Sequence, residues 1–422
     1  MKLDIETGAK VRIKKKKGDE EYEGMLLESH DQSTILIKTK NGYNVGFDKK
    51  EVELKVLEKP VKKEEKEKEI EQDKKLPEIA IIVTGGTIAS KVNYETGAVS
   101  PNPEISSLLK NIPGLDKIAR ISHIEVPFLT LSGNMTPDHW KKLAKKTCEF
   151  VNKKNIKGVV ILHGTDTMHF TSSALSFMLR ELGKPVVLTY SQRSIDRGSS
   201  DAHLNLKCAF YAALSNIAEV IVVGHASMED DYCFAFRGTN VRKMHSSRRD
   251  AFKQINAEPL ARIYENGNVE KISEYNKRDE TKKTKLENDF EDKIALVKIY
   301  PGMNPEIIDF YIKKGYRGIV LEGTGFGHVN VEDELSLLPE IKIATSKALV
   351  VMTTQCIFGE VNPNVYVYGR LLEKAGVLFS NLTSETAYVK LGYVLGKEKN
   401  LDLAKILMKK ELSKEFNERR LE

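Results

Sequence analysis

Three hydrophobic regimes succeed one another along the chain. From residue 6 to 56, apolar and polar positions alternate in short runs: Val11 and Ile13, Met25 to Leu27, Ile35 to Ile37, Val45 and Phe47, Val52 and Leu54. Gly18-Asp19 and Asn41-Gly42 punctuate these runs. A period of two puts every second side chain on one sheet face, and Asn-Gly tolerates the positive φ of a tight hairpin. The pattern predicts a small SH3-like antiparallel β-barrel of about five strands over residues 1–59.

Residues 62–75, KKEEKEKEIEQDKK, then hold six basic and six acidic side chains in fourteen positions. Such a stretch cannot bury itself, and a charged linker is expected over 60–75. Beyond it, buried-strand runs end in glycine turns and give way to helical spacing. Ile79–Val83 runs into Thr84-Gly85-Gly86-Thr87, and Gly158–Leu162 into His163-Gly164-Thr165-Asp166-Thr167. Further strands are expected at Pro185–Leu188 and Val220–Val223, with helices around 138–151, 171–182 and 203–216. A hairpin is expected at Ile263–Val269, around Asn266-Gly267. Strands alternating with helices predict a parallel sheet covered on both faces, here a larger α/β domain over 76–272.

The third regime follows a polar stretch at 273–293, read as an inter-domain linker. Strands at Ile294–Ile299, Gly318–Leu321 and Ala348–Met352, with helices near 305–314 and 384–395, predict a smaller α/β domain over 294–422. Its tail helix starts near Leu401, with Leu401, Leu403, Ile406 and Leu407 expected on one packed face. No internal repeat of 20 to 50 residues is visible.

Composition narrows the classes. The 422 residues suffice for two to three domains without staples, and 41% hydrophobic residues exclude a disordered chain. The net charge is +6 from 66 basic and 60 acidic side chains, too balanced for histone-like binding of nucleic acid. The barrel segment, with 13 basic and 12 acidic residues over 1–59, gives no support for a nucleic-acid site of its own. Cys148, Cys208, Cys233 and Cys356 lack ligand-like spacing, so a reduced cytoplasmic protein is expected, with neither zinc ribbon nor disulfide scaffold. No signal peptide or membrane span is visible.

Chemistry is expected at the carboxyl ends of the parallel strands, where open α/β sheets bind ligands. Both Gly-Thr corners lie there. They lack the Gly-Lys-Ser/Thr of a Walker A loop and the GxGxxG of a dinucleotide fold, so nucleotide binding is disfavoured. The hydroxyls of Thr87, Thr165 and Thr167 and the carboxylate of Asp166 are the reactive groups on offer. A threonine hydroxyl is a weak nucleophile that needs a base, and Lys243 in Arg242-Lys243-Met244-His245 could supply one if its neutral form is accessible. For either corner alone, ordinary turn chemistry explains the residues.

TGGTIAS at 84–90 and HGTDTM at 163–168 together resemble the two signature motifs of the asparaginase/glutaminase family. Tyr94 in KVNYETG, the Ser132-Gly133-Asn134-Met135 segment, Asp201 in SSDAHLN and the Val241–Lys243 loop before Asp250-Ala251-Phe252 add to the match, which covers roughly residues 76 to 400. The resemblance implies an α/β fold: an asparaginase-like two-domain core of three-layer domains, preceded here by the barrel. It implies that Thr87 sits on a closing loop with Tyr94, and that Thr165, Asp166 and Lys243 form a triad activating the second threonine. Ser132 and Gly164 would hold the substrate α-carboxylate, Asp166 its α-ammonium, and no metal would be needed. Which threonine attacks first is left open. Gly133 and Asn134 replace residues common in free-standing asparaginases, and Gly325-Phe326-Gly327-His328 departs from a pattern that in some members completes a site in a neighbouring protomer.

The barrel, YEGMLLES at 22–29, NGYNVGF at 41–47, CIFGEVNPNVYVYGR at 356–370 and TSETAYVKLGYVLG at 383–396 resemble the family branch that serves archaeal tRNA-dependent amidotransferases. That likeness implies release of ammonia from glutamine or asparagine for a partner, the E subunit of the amidotransferase. The partner would use ATP and Mg to amidate tRNA(Gln)-bound glutamate, and the chain would form a homodimer inside a heterotetramer with no cofactor of its own. The alternatives are a stand-alone L-asparaginase with an accessory barrel, and an inactive scaffold that positions RNA. His163 is expected to be buried and structural; His169, His245 and His328 lack metal spacing; Arg248 and Arg249 read as an exposed basic turn; Cys356 lacks a histidine partner.

Overall fold

The computed structural model describes residues 8–27, 29, 31, 33–40, 43–59, 72–92, 99–101, 112–195 and 199–417. The N-terminal segment forms five antiparallel strands: β1 (Lys10–Lys15), β2 (Glu21–Leu27), β3 (Thr34–Thr39), β4 (Asn44–Asp48) and β5 (Val52–Glu58), in the order β4-β3-β2-β1-β5. The alternating positions face inward as expected, with Val11, Ile13, Ile35, Ile37, Phe47 and Val52 packed in one small core. Asn41-Gly42 lies outside the described residues, but the strands it joins pair antiparallel, with Thr39 N–H donating to Tyr43 O at 2.9 Å.

The larger α/β unit is built on eight strands. Five are parallel: β6 (Glu78–Val83), β7 (Arg120–Glu125), β8 (Ile156–Leu162), β9 (Val186–Thr189) and β10 (Val220–His225). Three antiparallel strands extend one edge: β11 (Tyr232–Arg237), β12 (Ala261–Tyr264) and β13 (Val269–Lys271), giving the order β13-β12-β11-β10-β9-β8-β6-β7. Side chains alternate between two cores. Ala80, Ile82, Val159 and Ile161 face helices α1 (Pro137–Val151) and α2 (Met168–Met178), while Ile79, Ile81, Val160 and Leu162 face α3 (Ala202–Leu214). Burial on both faces is why these strands read as continuous apolar runs.

The smaller unit has four parallel strands in the order β14-β15-β16-β17: β14 (Ile294–Lys298), β15 (Gly318–Gly323), β16 (Leu349–Thr354) and β17 (Leu378–Phe379). Its helices are α4 (Glu306–Lys313), α5 (Leu338–Thr345), α6 (Val367–Lys374), α7 (Ser384–Lys397) and α8 (Leu401–Lys409). Helix α7 is buried along most of its length and shares a core with α2 of the larger unit.

Four expectations change. The helix expected over 171–182 spans 168–178, because Leu179-Arg180 turn extended and pair with Lys285-Leu286. The 273–293 stretch connects the two sheets but is held along the larger one: the Arg278 guanidinium donates to the carbonyls of Lys157, Ala213 and Ser215. Polar composition there marks bonded side chains as well as solvated ones. The sequence pattern does not predict strands β7, β11 and β17 or helices α5 and α6. In α8 the buried residues are Ala404 and Met408, with Leu401 and Leu407 partly buried beside them, whereas Leu403 and Ile406 are exposed.

Candidate active site

Strands β6 and β8 are adjacent and parallel, so their carboxyl ends, and the two Gly-Thr corners, meet. At the first corner Thr84 donates from both N–H and Oγ1 to Leu162 O at 3.0 Å, and its own carbonyl accepts Thr130 N–H at 2.9 Å. Gly85 and Gly86 have φ of 120° and 84°, a region open to glycine. A methyl on Gly85 would lie 2.2 Å from Thr130 O, and one on Gly86 would lie 2.4 Å from Gly164 Cα. A methyl on Gly164 would in turn sit 2.7 Å from Ser132 Oγ. Three loops therefore interlock through glycines, which places half-buried Thr87, at the start of a single helical turn, beside the second corner.

At the second corner His163 is fully buried, and its Nδ1–H donates to Gly164 O at 2.6 Å. Burial drives the ring to its neutral form, with a pKa lowered to about 4. His163 is thus structural, as expected. Thr167 precedes α2 and donates from Oγ1 to Ser132 O at 2.6 Å, while Asp166 N–H donates to Ser132 Oγ at 3.1 Å. These two bonds fix Ser132 against the HGTDT loop.

Lys243 arrives on a short strand, Val241–Lys243, paired with Phe252–Gln254. Its ammonium lies 2.7 Å from Thr165 Oγ1 and 2.8 Å from Asp166 Oδ1. The Lys243 side chain is 11% exposed and that of Asp166 is 70% exposed. The lysine is largely withdrawn from water and the carboxylate faces it. A neutral Lys243 at this distance can take the hydroxyl proton of Thr165, and the Asp166 carboxylate can hold a cation at the open rim.

The structure thus brings together Thr165, Asp166, Lys243, Ser132 and Gly164, with the Thr87 loop alongside. Tyr94 lies outside the described residues. Asp201 is buried and accepts the N–H groups of Gln192 and Arg193, so it shapes a loop. Asp250 pairs with Arg248 and Lys253. Arg249 is not an exposed turn residue: its guanidinium is held by Asp230 at 3.2 Å and by Ser199 O at 2.8 Å. Among the described residues no group of three or more His, Cys, Asp or Glu side chains could hold a metal ion. Sequence reasoning passed over Glu385, which pairs with Arg242 at 3.1 Å; an acidic residue in a first helical turn carries no signal of that contact.

Residues 78–277 match the family described as asparaginase, N-terminal, and residues 293–408 match the glutaminase/asparaginase C-terminal domain. Residues 5–57 match the GatD N-terminal domain. The D subunit of the glutamyl-tRNA(Gln) amidotransferase from Pyrococcus furiosus is 48% identical over 415 residues, covering 96% of this chain and 93% of that protein. The protein of the same name from Methanothermobacter thermautotrophicus is 43% identical, covering 98% and 95%. Among solved structures, the thermostable L-asparaginase from Thermococcus kodakarensis superposes with a TM-score of 0.72 at 29% identity. It aligns with 81% of this chain and 99% of its own. L-asparaginase I from Vibrio cholerae gives 0.70 at 30% identity with the same coverage.

Proposed function

From the premise that this chain belongs to the asparaginase/glutaminase family, and within it to the D subunits of glutamyl-tRNA(Gln) amidotransferases, we propose that it releases ammonia from glutamine by acyl transfer at the threonine site. Thr87 attacks the side-chain amide carbon, ammonia leaves, and water then cleaves the acyl ester. Lys243, held against Thr165 and Asp166, relays the protons through the Thr165 hydroxyl. Ser132 and Gly164 receive the α-carboxylate and Asp166 the α-ammonium, and the family resemblance assigns Tyr94 to substrate binding. A backbone N–H aimed at the developing oxyanion is worth ~10²–10³ in rate. The observation that carries this reading is the 2.7 Å contact between Lys243 Nζ and Thr165 Oγ1.

The released ammonia serves a partner, the amidotransferase's E subunit, which holds ATP and Mg and converts Glu-tRNA(Gln) to Gln-tRNA(Gln). This chain would form a homodimer within a heterotetramer, and tRNA(Gln) would be bound mainly by the partner. The units are the barrel over 1–59, the larger domain over 76–272 and the smaller domain over 294–422, joined by 60–75 and 273–293. Among the described residues no helix is long and apolar enough to cross a membrane. A cytoplasmic location belongs to this proposal through the tRNA-dependent reaction it serves.

The test is ammonia release from glutamine by the chain with its partner, with and without Glu-tRNA(Gln). Release coupled to charged tRNA, and lost in Thr87→Ala, Thr165→Ala and Lys243→Met, is expected. A covalent glutamine analogue should label Thr87; a label on Thr165 reverses the order of attack. Fast asparagine turnover by the chain alone, indifferent to partner and tRNA, would establish the free-standing asparaginase instead.

A further inference from the structure

The segment that delivers Lys243 is gripped by the smaller domain at three points. Thr386 Oγ1, in the first turn of α7, donates to Thr239 O at 2.7 Å. Asn240 Nδ2 donates to Glu415 O of the C-terminal tail at 3.1 Å. The Arg242 guanidinium meets Glu385 Oε1 at 3.1 Å. Residues 239, 240 and 242 are thus tied to a part of the chain more than a hundred residues downstream, and the next residue is the triad lysine.

Glu385 is the charged member of this grip. Its side chain is 9% exposed, and its Oε2 has no hydrogen-bond partner among the described residues. Burial pushes its carboxyl up, and Arg242 opposes that shift. The second base near it is His169, just after the HGTDTM motif, whose Nε2 lies 3.9 Å from Glu385 Oε1. Burial, with Arg242 and Lys243 adding to it, holds the His169 ring neutral, its pKa lowered to about 3. Glu322 and Lys298 of the smaller domain also act on Glu385. Arg242 is therefore a buried-edge cation next to the catalytic lysine, with Glu385 as its direct ion-pair partner.

We propose that Glu385 is a positioning residue for the amidohydrolase reaction: through Arg242 it fixes the strand that presents Lys243 and balances the positive charge beside that lysine. The inference rests on the assignment of Lys243 as the base. The smaller domain then sets the geometry and the charge surroundings of a triad whose members all lie in the larger one. An uncompensated guanidinium next to Lys243 disfavours the lysine's protonated form, and an uncompensated carboxylate favours it.

Paired variants of the full chain, assayed with the partner present, test this. In Glu385→Gln, kcat for glutamine should fall about tenfold with KM within about twofold, as expected when a reacting group is displaced. The acidic limb of the pH–rate profile should move to lower pH by roughly half a unit. In Arg242→Gln the limb should move the opposite way. Glu385→Asp, too short to span to Arg242, should not restore kcat. A lowered melting temperature with kcat and both limbs at wild-type values would reduce Glu385 to a packing residue and overturn the proposal. Limbs that move in the same direction would overturn its electrostatic half. If Lys243→Met itself keeps activity, the base assignment fails, and the limbs of the paired variants then show whether the ion pair acts on another group.

Discussion

Gly86→Ala tests whether the interlocked corners set the threonine site. The substitution places a methyl 2.4 Å from both Gly164 Cα and Gly164 N and 2.8 Å from His163 C, all backbone atoms that cannot rotate away. Ordinary contact between carbon atoms is about 3.5–4.0 Å, so the two loops must part by roughly 1 Å. The residue must also hold φ near 84°, which costs about 1–2 kcal/mol for an L side chain. Overpacking adds about 1–3 kcal/mol. The larger consequence is kinetic. The parting loops carry Thr87 and Thr165, and a displacement of ~1 Å between reacting groups costs on the order of 10²-fold in rate. The expected outcome is a kcat for ammonia release lowered about a hundredfold in a protein that still unfolds cooperatively. Gly114→Ala is the matched control: φ is 88° but nothing lies within 4 Å of the added methyl, so it bears the backbone strain without the clash. Ammonia release and thermal unfolding are measured on all three proteins. A Gly86→Ala enzyme within threefold of wild type, or a Gly114→Ala enzyme equally impaired, would refute the reasoning.

Three further outcomes are expected. Lys243→Met should lower kcat by at least ~10³, as loss of a general base acting through a weak nucleophile does, while circular dichroism stays unchanged. Lys390 and Glu415 form a fully buried pair at 2.6 Å, with Lys390 also donating to Met408 O and Lys410 O; Glu415→Ala strands the cation and should cost about 3–5 kcal/mol in urea unfolding. His163 and His169, with pKa values lowered to about 4 and about 3, are neutral when folded and bind protons when unfolded below their usual 6.5. Stability should therefore be constant above that value and fall as the pH drops from 6.5 toward 4, by about 1.4 kcal/mol per pH unit for each ring. A flat unfolding midpoint between pH 6.5 and 4.5 would show that water or another group reaches both rings.

Much of this architecture is legible locally. Val11 and Ile13, or Ile35 and Ile37, alternate because one face of a small sheet meets a core and the other meets water. Ile79–Val83 and Val159–Leu162 are apolar throughout because both faces of their sheet are covered. The glycines that end these strands mark corners where backbones touch, and the threonines beside them carry the hydroxyls of the proposed chemistry. The polar 273–293 stretch misleads because composition registers polarity and not whether a neighbouring carbonyl answers it, as three do for Arg278. The end of α2 escapes for a related reason: Leu179-Arg180 leave the helix to pair with a strand over a hundred residues away.

By itself, then, the sequence determined the barrel strands, most of the buried parallel strands with the faces they cover, and the two threonine corners, since these follow from periodicity and turn chemistry within a dozen residues. Only the tertiary structure decided that Lys243 stands 2.7 Å from Thr165, that Gly86 and Gly164 touch, and that Glu385 holds Arg242. Those distances depend on how β6 and β8 register in one sheet and how α7 docks on α2. A periodic pattern specifies which face packs, and the register and docking of whole elements specify which atoms meet.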